Sequence, residues 1–254
     1  MSRTFLALLH YDGTRFVGWQ RQPNGRSVQG EFEAVLERLC RRRVVAHGAG
    51  RTDAGVHALG MGVSFTLPAK WTGPEIRRAL NALLPGDCWV MDIRETAPGF
   101  HARKSAAGRR YRYVVGTDEA AHSPFRRGWE WALTRPLRFG RLTHAAADLT
   151  GEHDFRAFAV KSGPRPHYRC TVREAVWRER QDAPGVVFEI AADRFLHHMV
   201  RFLVGTMVDI GLERRPPSDM AALLQRTEND ETSPPAPPQG LFFLSAEYSE
   251  QWFV

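Results

Sequence analysis

Cysteine is scarce. The chain of 254 residues has three, Cys40, Cys88 and Cys170, far apart and odd in number. That argues against a disulfide framework and against a cysteine-based zinc site. Long apolar runs are also missing. The longest, Phe202 to Leu212, falls short of the roughly 20 residues that cross a bilayer, and it contains Asp209. Near the start only Phe5 to Leu9 is apolar, too short for a secretory signal. The expectation is a cytoplasmic protein with free thiols and no membrane partner. The ten histidines show no zincin spacing, and neighbours such as His197 and His198 would point different ways on a helix. No metal site is expected. Lysine is nearly absent: Lys70, Lys104 and Lys161 stand among 35 cations, so 32 are arginine.

What is present describes a globular chain. Apolar residues make up 43% and charged residues 25%, enough to bury a sizeable core. The length suits one large domain or two modest ones. The net charge is +7, with 35 cations against 28 acids. Codon bias can account for arginine over lysine, but not for where the charge sits. His101 to Thr117 carries five cations (Arg103, Lys104, Arg109, Arg110, Arg112) and no acid. Lys161 to Arg173 carries four (Lys161, Arg165, Arg169, Arg173) and no acid. Either segment alone could be a solvated face. Together they favour a polyanion, because each phosphate contact releases condensed counterions.

The periodicity predicts an α+β fold. Thr4 to Leu9 reads as a buried strand. Ser27 can cap a helix whose apolar face is Val28, Phe32, Val35, Leu36 and Leu39. Val44 to Ala46 reads as a short strand. Gly60 to Leu67 alternates, with Met61, Val63, Phe65 and Leu67 on one face, which predicts a half-buried strand. A helix follows from Thr72 or Gly73 to about Leu84, with Pro74 tolerated early, and then a strand from Asp87 to Arg94. This order is β-α-β-β-α-β, the split ferredoxin-like pattern. The second half repeats it. Arg109 to Gly116 is a strand with Tyr111, Tyr113 and Val115 on one face, and Phe139 to Leu149 a helix. Thr171 to Arg180 and Val186 to Ala191 form a hairpin. Phe195 to Leu212 is a buried helix, Ser218 to Arg226 an extra one, and Leu241 to Ala246 a last strand after the Pro-rich Ser233 to Pro238. The expected fold is two tandem ferredoxin-like, RRM-like halves with mainly antiparallel sheets, dividing near residues 103 to 108 into domains 1–104 and 105–254. Sheets of this kind often bind unpaired RNA bases on aromatic side chains.

The most concentrated motif is Gly48 to Ala58, between two predicted strands. Val56 stands where a phosphate-binding P-loop needs lysine, and the spacing does not fit a dinucleotide fingerprint. The loop reads either as a tight glycine turn in which Asp53 caps a backbone amide, or as a site. Glycines let a substrate backbone approach closely, and Arg51 beside Asp53 would keep the carboxylate ionised. Tyr111 and Tyr113 could pack in the core or stack on a nucleobase. Arg201 lies within an apolar helix, so it needs an acid, either structural or catalytic. Trp19 to Asn24 could be an RNA-contacting loop or an ordinary turn.

These residues resemble the tRNA pseudouridine synthase A (TruA) family. The likeness rests on Gly50-Arg51-Thr52-Asp53-Ala54-Gly55-Val56-His57-Ala58. It extends to Tyr11-Asp12-Gly13-Thr14, Gly18 to Gln22, Ser27 to Gly30, Phe100 to Arg103, Arg110 to Tyr113, His197 to Arg201 and Gly240-Leu241. It implies isomerisation of uridine to pseudouridine at positions 38, 39 and 40 of the tRNA anticodon arm. It also implies a cleft between the two halves, a homodimer, and neither metal nor organic cofactor. It makes Asp53 the catalytic aspartate and Tyr111 the residue that stacks on the target uracil, with Arg51, Arg201 and Leu241 lining the site. Lys104, Met61 and Gln239 depart from the pattern, standing where an aromatic residue, Gln and His are expected. The competing readings are a non-catalytic RNA-binding module and a tRNA chaperone on the same sheets.

Overall fold

A computed structural model describes residues 2–160 and 167–254, so Lys161 and Arg165 of the second basic segment lie outside the described residues. The described residues form ten strands, mostly antiparallel, and five α-helices. In chain order these are β1 (Ser2–Tyr11), α1 (Val28–Cys40), β2 (His47–Gly48), β3 (His57–Pro68), α2 (Gly73–Leu83) and β4 (Cys88–Thr96). Then come β5 (Ala106–Gly116), β6 (Trp131–Ala132), α3 (Phe139–Ala147), β7 (Gly151–Asp154), β8 (Arg169–Glu179) and β9 (Gly185–Ala192). The last are α4 (Met199–Gly211), α5 (Asp219–Leu223) and β10 (Leu241–Tyr248). Contacts divide the chain into two compact units, Met1–Gly108 with Phe242–Val254, and Arg109–Leu241. The last strand therefore belongs almost wholly to the first unit. No helix among the described residues is long and apolar enough to cross a membrane. All three cysteines are free thiols.

In the first unit, β1 pairs antiparallel with β4 on one side and with β3 on the other. The register sets Phe5 opposite Phe65, and the two rings stack 6.0 Å apart. Phe32 of α1 meets Phe65 edge-on at 5.5 Å, so the helix seals this face with the apolar stripe that its sequence predicts. Ser27 caps α1 through its Oγ, which accepts from Gly30 N–H at 3.2 Å. The helix stops at Arg41, whose φ of 54° is left-handed. Thr72 and Glu75 start α2 with reciprocal capping, and Thr72 N–H donates to the Glu75 carboxylate at 2.9 Å.

Two expectations for this unit need correction. The short strand is His47–Gly48, not Val44 to Ala46. Polar side chains of α1 hold Ala46 instead: its N–H donates to the buried Glu33 carboxylate at 3.0 Å, and its carbonyl accepts from Gln29 Nε2 at 3.0 Å. A backbone satisfied in this way has no call for a ladder partner. Strand β3 is also not half-buried, since only Leu59 and Thr66 in its first eleven residues are exposed. Its glycine face is covered by β10. A Cβ on Gly60 would lie 2.2 Å from the Leu244 carbonyl oxygen, so only glycine fits that approach.

In the second unit, β5, β9, β8 and β7 pair antiparallel in that order, and β6 joins β5 in parallel. Tyr113 pairs with Phe188 across β5 and β9, and Trp177 lies 4.9 Å from Phe188. Helix α4 is almost entirely buried. It begins at Met199 rather than Phe195, because His198 has a left-handed φ of 62°. The hairpin between β8 and β9 is as expected. Strands β6 and β7 are too short to leave a periodic signal in the sequence. Helix α5 is one turn shorter at its end than Ser218 to Arg226 suggests.

The acid-free basic segment also changes meaning in three dimensions. Arg110 pairs with Glu174 of β8 at 2.7 Å and Arg112 with Glu189 of the adjacent β9 at 2.7 Å. Sequence windows miss acids that arrive across a sheet. Arg103 and Lys104 remain exposed.

Candidate active site

Asp53 lies in the loop that joins β2 to β3, and this loop is fixed from several sides. Trp19 N–H donates to the Thr52 carbonyl at 3.1 Å, and Gly55 N–H to the Phe16 carbonyl at 3.3 Å. Tyr11 and Thr52 share a buried hydroxyl–hydroxyl bond of 2.7 Å. Ala49 N–H donates to the Gly62 carbonyl at 2.7 Å, and Val56 N–H to the Asp53 carbonyl at 3.2 Å, which closes the turn. Gly18 also approaches the loop closely. It has φ +112°, and a Cβ there would lie 2.5 Å from the Thr52 carbonyl oxygen. The loop is a tight glycine turn, and it leaves Asp53 half-buried while Thr52 and Val56 are buried.

His57 was not singled out from the sequence, and it anchors the far end of the loop. It is fully buried, and its Nδ1 accepts from Gly13 N–H at 3.1 Å. The ring stacks on Phe242 at 4.9 Å. The only sequence signal was its place four residues after Asp53. Trp19 is likewise a core residue, 6.4 Å from the Tyr11 ring, so the proposed RNA loop shrinks to the exposed residues 20–24. Arg51 is exposed and makes no ion pair with Asp53 among the described residues. Its guanidinium is presented outward rather than folded back on the acid.

The second unit holds the other three expected residues. Tyr111 is buried on β5, edge-on to Phe195 at 5.0 Å. Tyr113, two residues on, is a core residue, and its hydroxyl donates to the Pro237 carbonyl at 2.7 Å. Burial drives its phenol pKa well above the ordinary value. Arg201, near the start of α4, donates from Nε to the Ala236 carbonyl at 2.7 Å, while Ala236 N–H returns a bond to the Arg201 carbonyl at 2.9 Å. The Pro-rich segment is therefore strapped to α4 and β5. It ends in a 3-10 turn, Pro238–Gly240, that delivers the buried Leu241. Arg51 and Asp53 thus share one loop of the first unit, and Tyr111, Arg201 and Leu241 all lie in the second.

A rigid loop that presents one carboxylate, in an α+β chain with excess arginine, describes an enzyme acting on a polyanion. The model of the tRNA pseudouridine synthase family matches residues 7–103 and 145–249. The chain belongs to this family, whose members are isomerases. Asp53, Arg51, Arg201 and Leu241 lie inside the matched stretches, and Tyr111 lies between them. Whole-chain relatives close that gap. A tRNA pseudouridine synthase A of Moorella thermoacetica is 40% identical over 242 residues, covering 94% of this chain and 97% of that one. One of Myxococcus xanthus is 42% identical over 95% of this chain and 91% of its own. One of Geobacillus kaustophilus is 37% identical over 100% and 98%.

Proposed function

We propose that this enzyme isomerises uridine to pseudouridine at positions 38, 39 and 40 of the tRNA anticodon stem-loop, with Asp53 as the catalytic residue. The observation that carries the reading is the Asp53 loop, a half-exposed carboxylate on a loop fixed by four backbone hydrogen bonds and one between side-chain hydroxyls. The reaction breaks the N1–C1′ bond, turns the uracil and joins C5 to C1′. N1 ends with a proton and C5 loses one, so no atom is gained or lost and no redox partner is needed. Breaking the bond builds positive character at C1′, which a carboxylate stabilises or attacks, as in glycosidases. A site with a single acid and none placed to activate water would favour keeping the uracil over hydrolysis.

The base must first leave the stack, at roughly a few kcal/mol. Phosphate contacts offset that cost, and the outward-facing Arg51 is suited to fill the space the base vacates. Tyr111 stacks on the uracil while it turns. Arg201, already oriented by Ala236, lines the site, and Leu241 excludes water. The two halves act as ferredoxin-like domains, the unit of residues 1–108 and 242–254 carrying the aspartate loop and the unit of 109–241 the tyrosine and the second arginine. The β4-β1-β3-β2 pairing of the first unit supports this arrangement. The enzyme works in the cytoplasm as a homodimer without metal or organic cofactor.

The test is pseudouridine formation in an unmodified tRNA transcript, without added metal or nucleotide, by the wild type and by Asp53→Asn. The wild type should convert positions 38 to 40. The variant should bind the transcript normally and lose at least about 10²–10⁴-fold in rate. Conversion by Asp53→Asn at the wild-type rate would sink the assignment.

A further inference from the structure

On the first unit, away from the aspartate loop, lies a cleft of about 620 Å³. Its walls include Ser2 and Thr4 of β1, Ser64 and Thr66 of β3, and the segment Arg42 to Val45 that leaves α1. His47 completes the rim, and no residue of 48–57 belongs to it. The left-handed turn at Arg41 ends α1 abruptly and brings Arg42 and Arg43 to the cleft.

Three features define its chemistry. First, no acid lines it. Arg42 and Arg43 are exposed and neither makes an ion pair among the described residues, unlike Arg110 and Arg112. Second, hydroxyl groups of both strands stand beside the cations. Thr4 and Thr66 meet through their hydroxyls at 3.3 Å, and Ser64 Oγ accepts from Ala102 N–H at 2.9 Å. Third, the exposed His47 ring stacks on His101 at 4.3 Å, next to the exposed Arg103 and Lys104. Burial lowers the His101 pKa, and His47, Lys104 and Arg103 push it the same way, so the local field is positive. Unpaired guanidinium groups, hydroxyl donors and a flat π-surface in one groove suit a sugar-phosphate backbone. An acidic protein surface would need only the charges.

We propose that this cleft is a second RNA contact, in which Arg42 and Arg43 hold backbone phosphates of the substrate tRNA outside the target base. The proposal rests on tRNA being the substrate, but it makes no demand on Asp53. Its role is in affinity and registration, and it adds to what the Asp53 loop does at the uridine.

The experiment measures binding of an unmodified tRNA transcript at 50 and 200 mM salt. It uses the full chain, Arg42→Ala/Arg43→Ala and Arg42→Lys/Arg43→Lys, with melting temperatures to show that all are folded. Two lost phosphate contacts should reduce the salt slope by about two, so over this range the alanine pair loses about tenfold less affinity than the wild type. The lysine pair should restore the slope, since a point charge suffices for phosphate. In turnover, the alanine pair should show the loss in KM rather than in kcat. An unchanged slope would overturn the proposal. So would a loss of poly-aspartate binding with tRNA binding intact, which would assign the cleft to acidic protein surfaces. The Asp53→Asn reaction fails or succeeds independently of these slopes, so the two readings can fall separately.

Discussion

At the scale of single residues, His57 shows how a buried imidazole can fix the end of a neighbouring loop. Gly13 N–H donates to Nδ1 at 3.1 Å, so that nitrogen serves the loop as an acceptor. The Asp12 carboxylate, 3.2 Å away, is satisfied instead by Thr14 N–H at 3.0 Å and the Thr14 hydroxyl at 2.6 Å. Two substitutions separate the ring from its acceptor. His57→Asn keeps an acceptor where Nδ1 stands. His57→Phe keeps the stack on Phe242 and leaves the Gly13 amide buried and unpaired, a cost of about 1–3 kcal/mol. If His57 positions the loop, kcat should fall more in the phenylalanine variant than in the asparagine variant, with KM nearly unchanged in both. Steady-state kinetics check this, and equal kcat losses would show that only packing matters.

At the scale of elements, long periodic segments were legible and short ones were not. Helices α1 and α2, strands β1, β3 and β4, and the β8–β9 hairpin all announce themselves by apolar spacing and caps. Strands β2 and β6 have two residues each and β7 has four, too few for a period. Val44 to Ala46 has strand composition, yet Glu33 and Gln29 claim its last residue, a long-range event that no local window contains. Within the site, the Asp53 loop was legible because its glycines and charges are contiguous. The Arg201–Ala236 clasp was not, because the Pro-rich segment carries no periodicity that would say which helix it covers. The hairpin end offers a test of local electrostatics. Arg180 binds Asp182 at 2.8 Å and also Glu130, which is buried. Arg180 holds the Asp182 pKa down to about 2, against an ordinary 3.8. A depressed acid stabilises the fold above its unfolded pKa and loses that contribution as pH falls through its folded pKa. Asp182 is largely exposed, so screening reduces its effect to about 1 kcal/mol or less. The melting temperature of Asp182→Asn should lie slightly below that of the wild type above pH 4, and the gap should close as pH falls toward 2. A gap that stays constant down to pH 2 would mean that charge plays no part.

At the scale of the whole molecule, the two units are not two consecutive lengths of chain. Residues 242–254 complete the first unit: Phe242 and Phe243 lie parallel to His57 and Ala58. The Tyr248 hydroxyl donates to the Ala102 carbonyl at 3.0 Å, and Phe100 packs edge-on against Tyr248 and Trp252 at 5.1 and 5.7 Å. Deleting 242–254 should therefore damage the unit that carries Asp53, although the deletion is far from it in sequence. Hydrogen exchange checks this. Protection should fall in β3 and at Phe100 to Ala102, while α4 and the β8–β9 hairpin keep theirs. Loss confined to 109–241 would contradict the division.

That return of the chain has a consequence for synthesis on the ribosome. The residues that flank Asp53 emerge early, but the strand beside His57 is translated only after all of 109–241. At roughly 5–20 residues per second the wait is on the order of ten seconds. During it the glycine face of β3, shaped to accept the Leu244 carbonyl, stays uncovered. A nascent chain can therefore hold much of the first sheet and still lack the strand beside His57, so that the first unit is completed only after the second has been made.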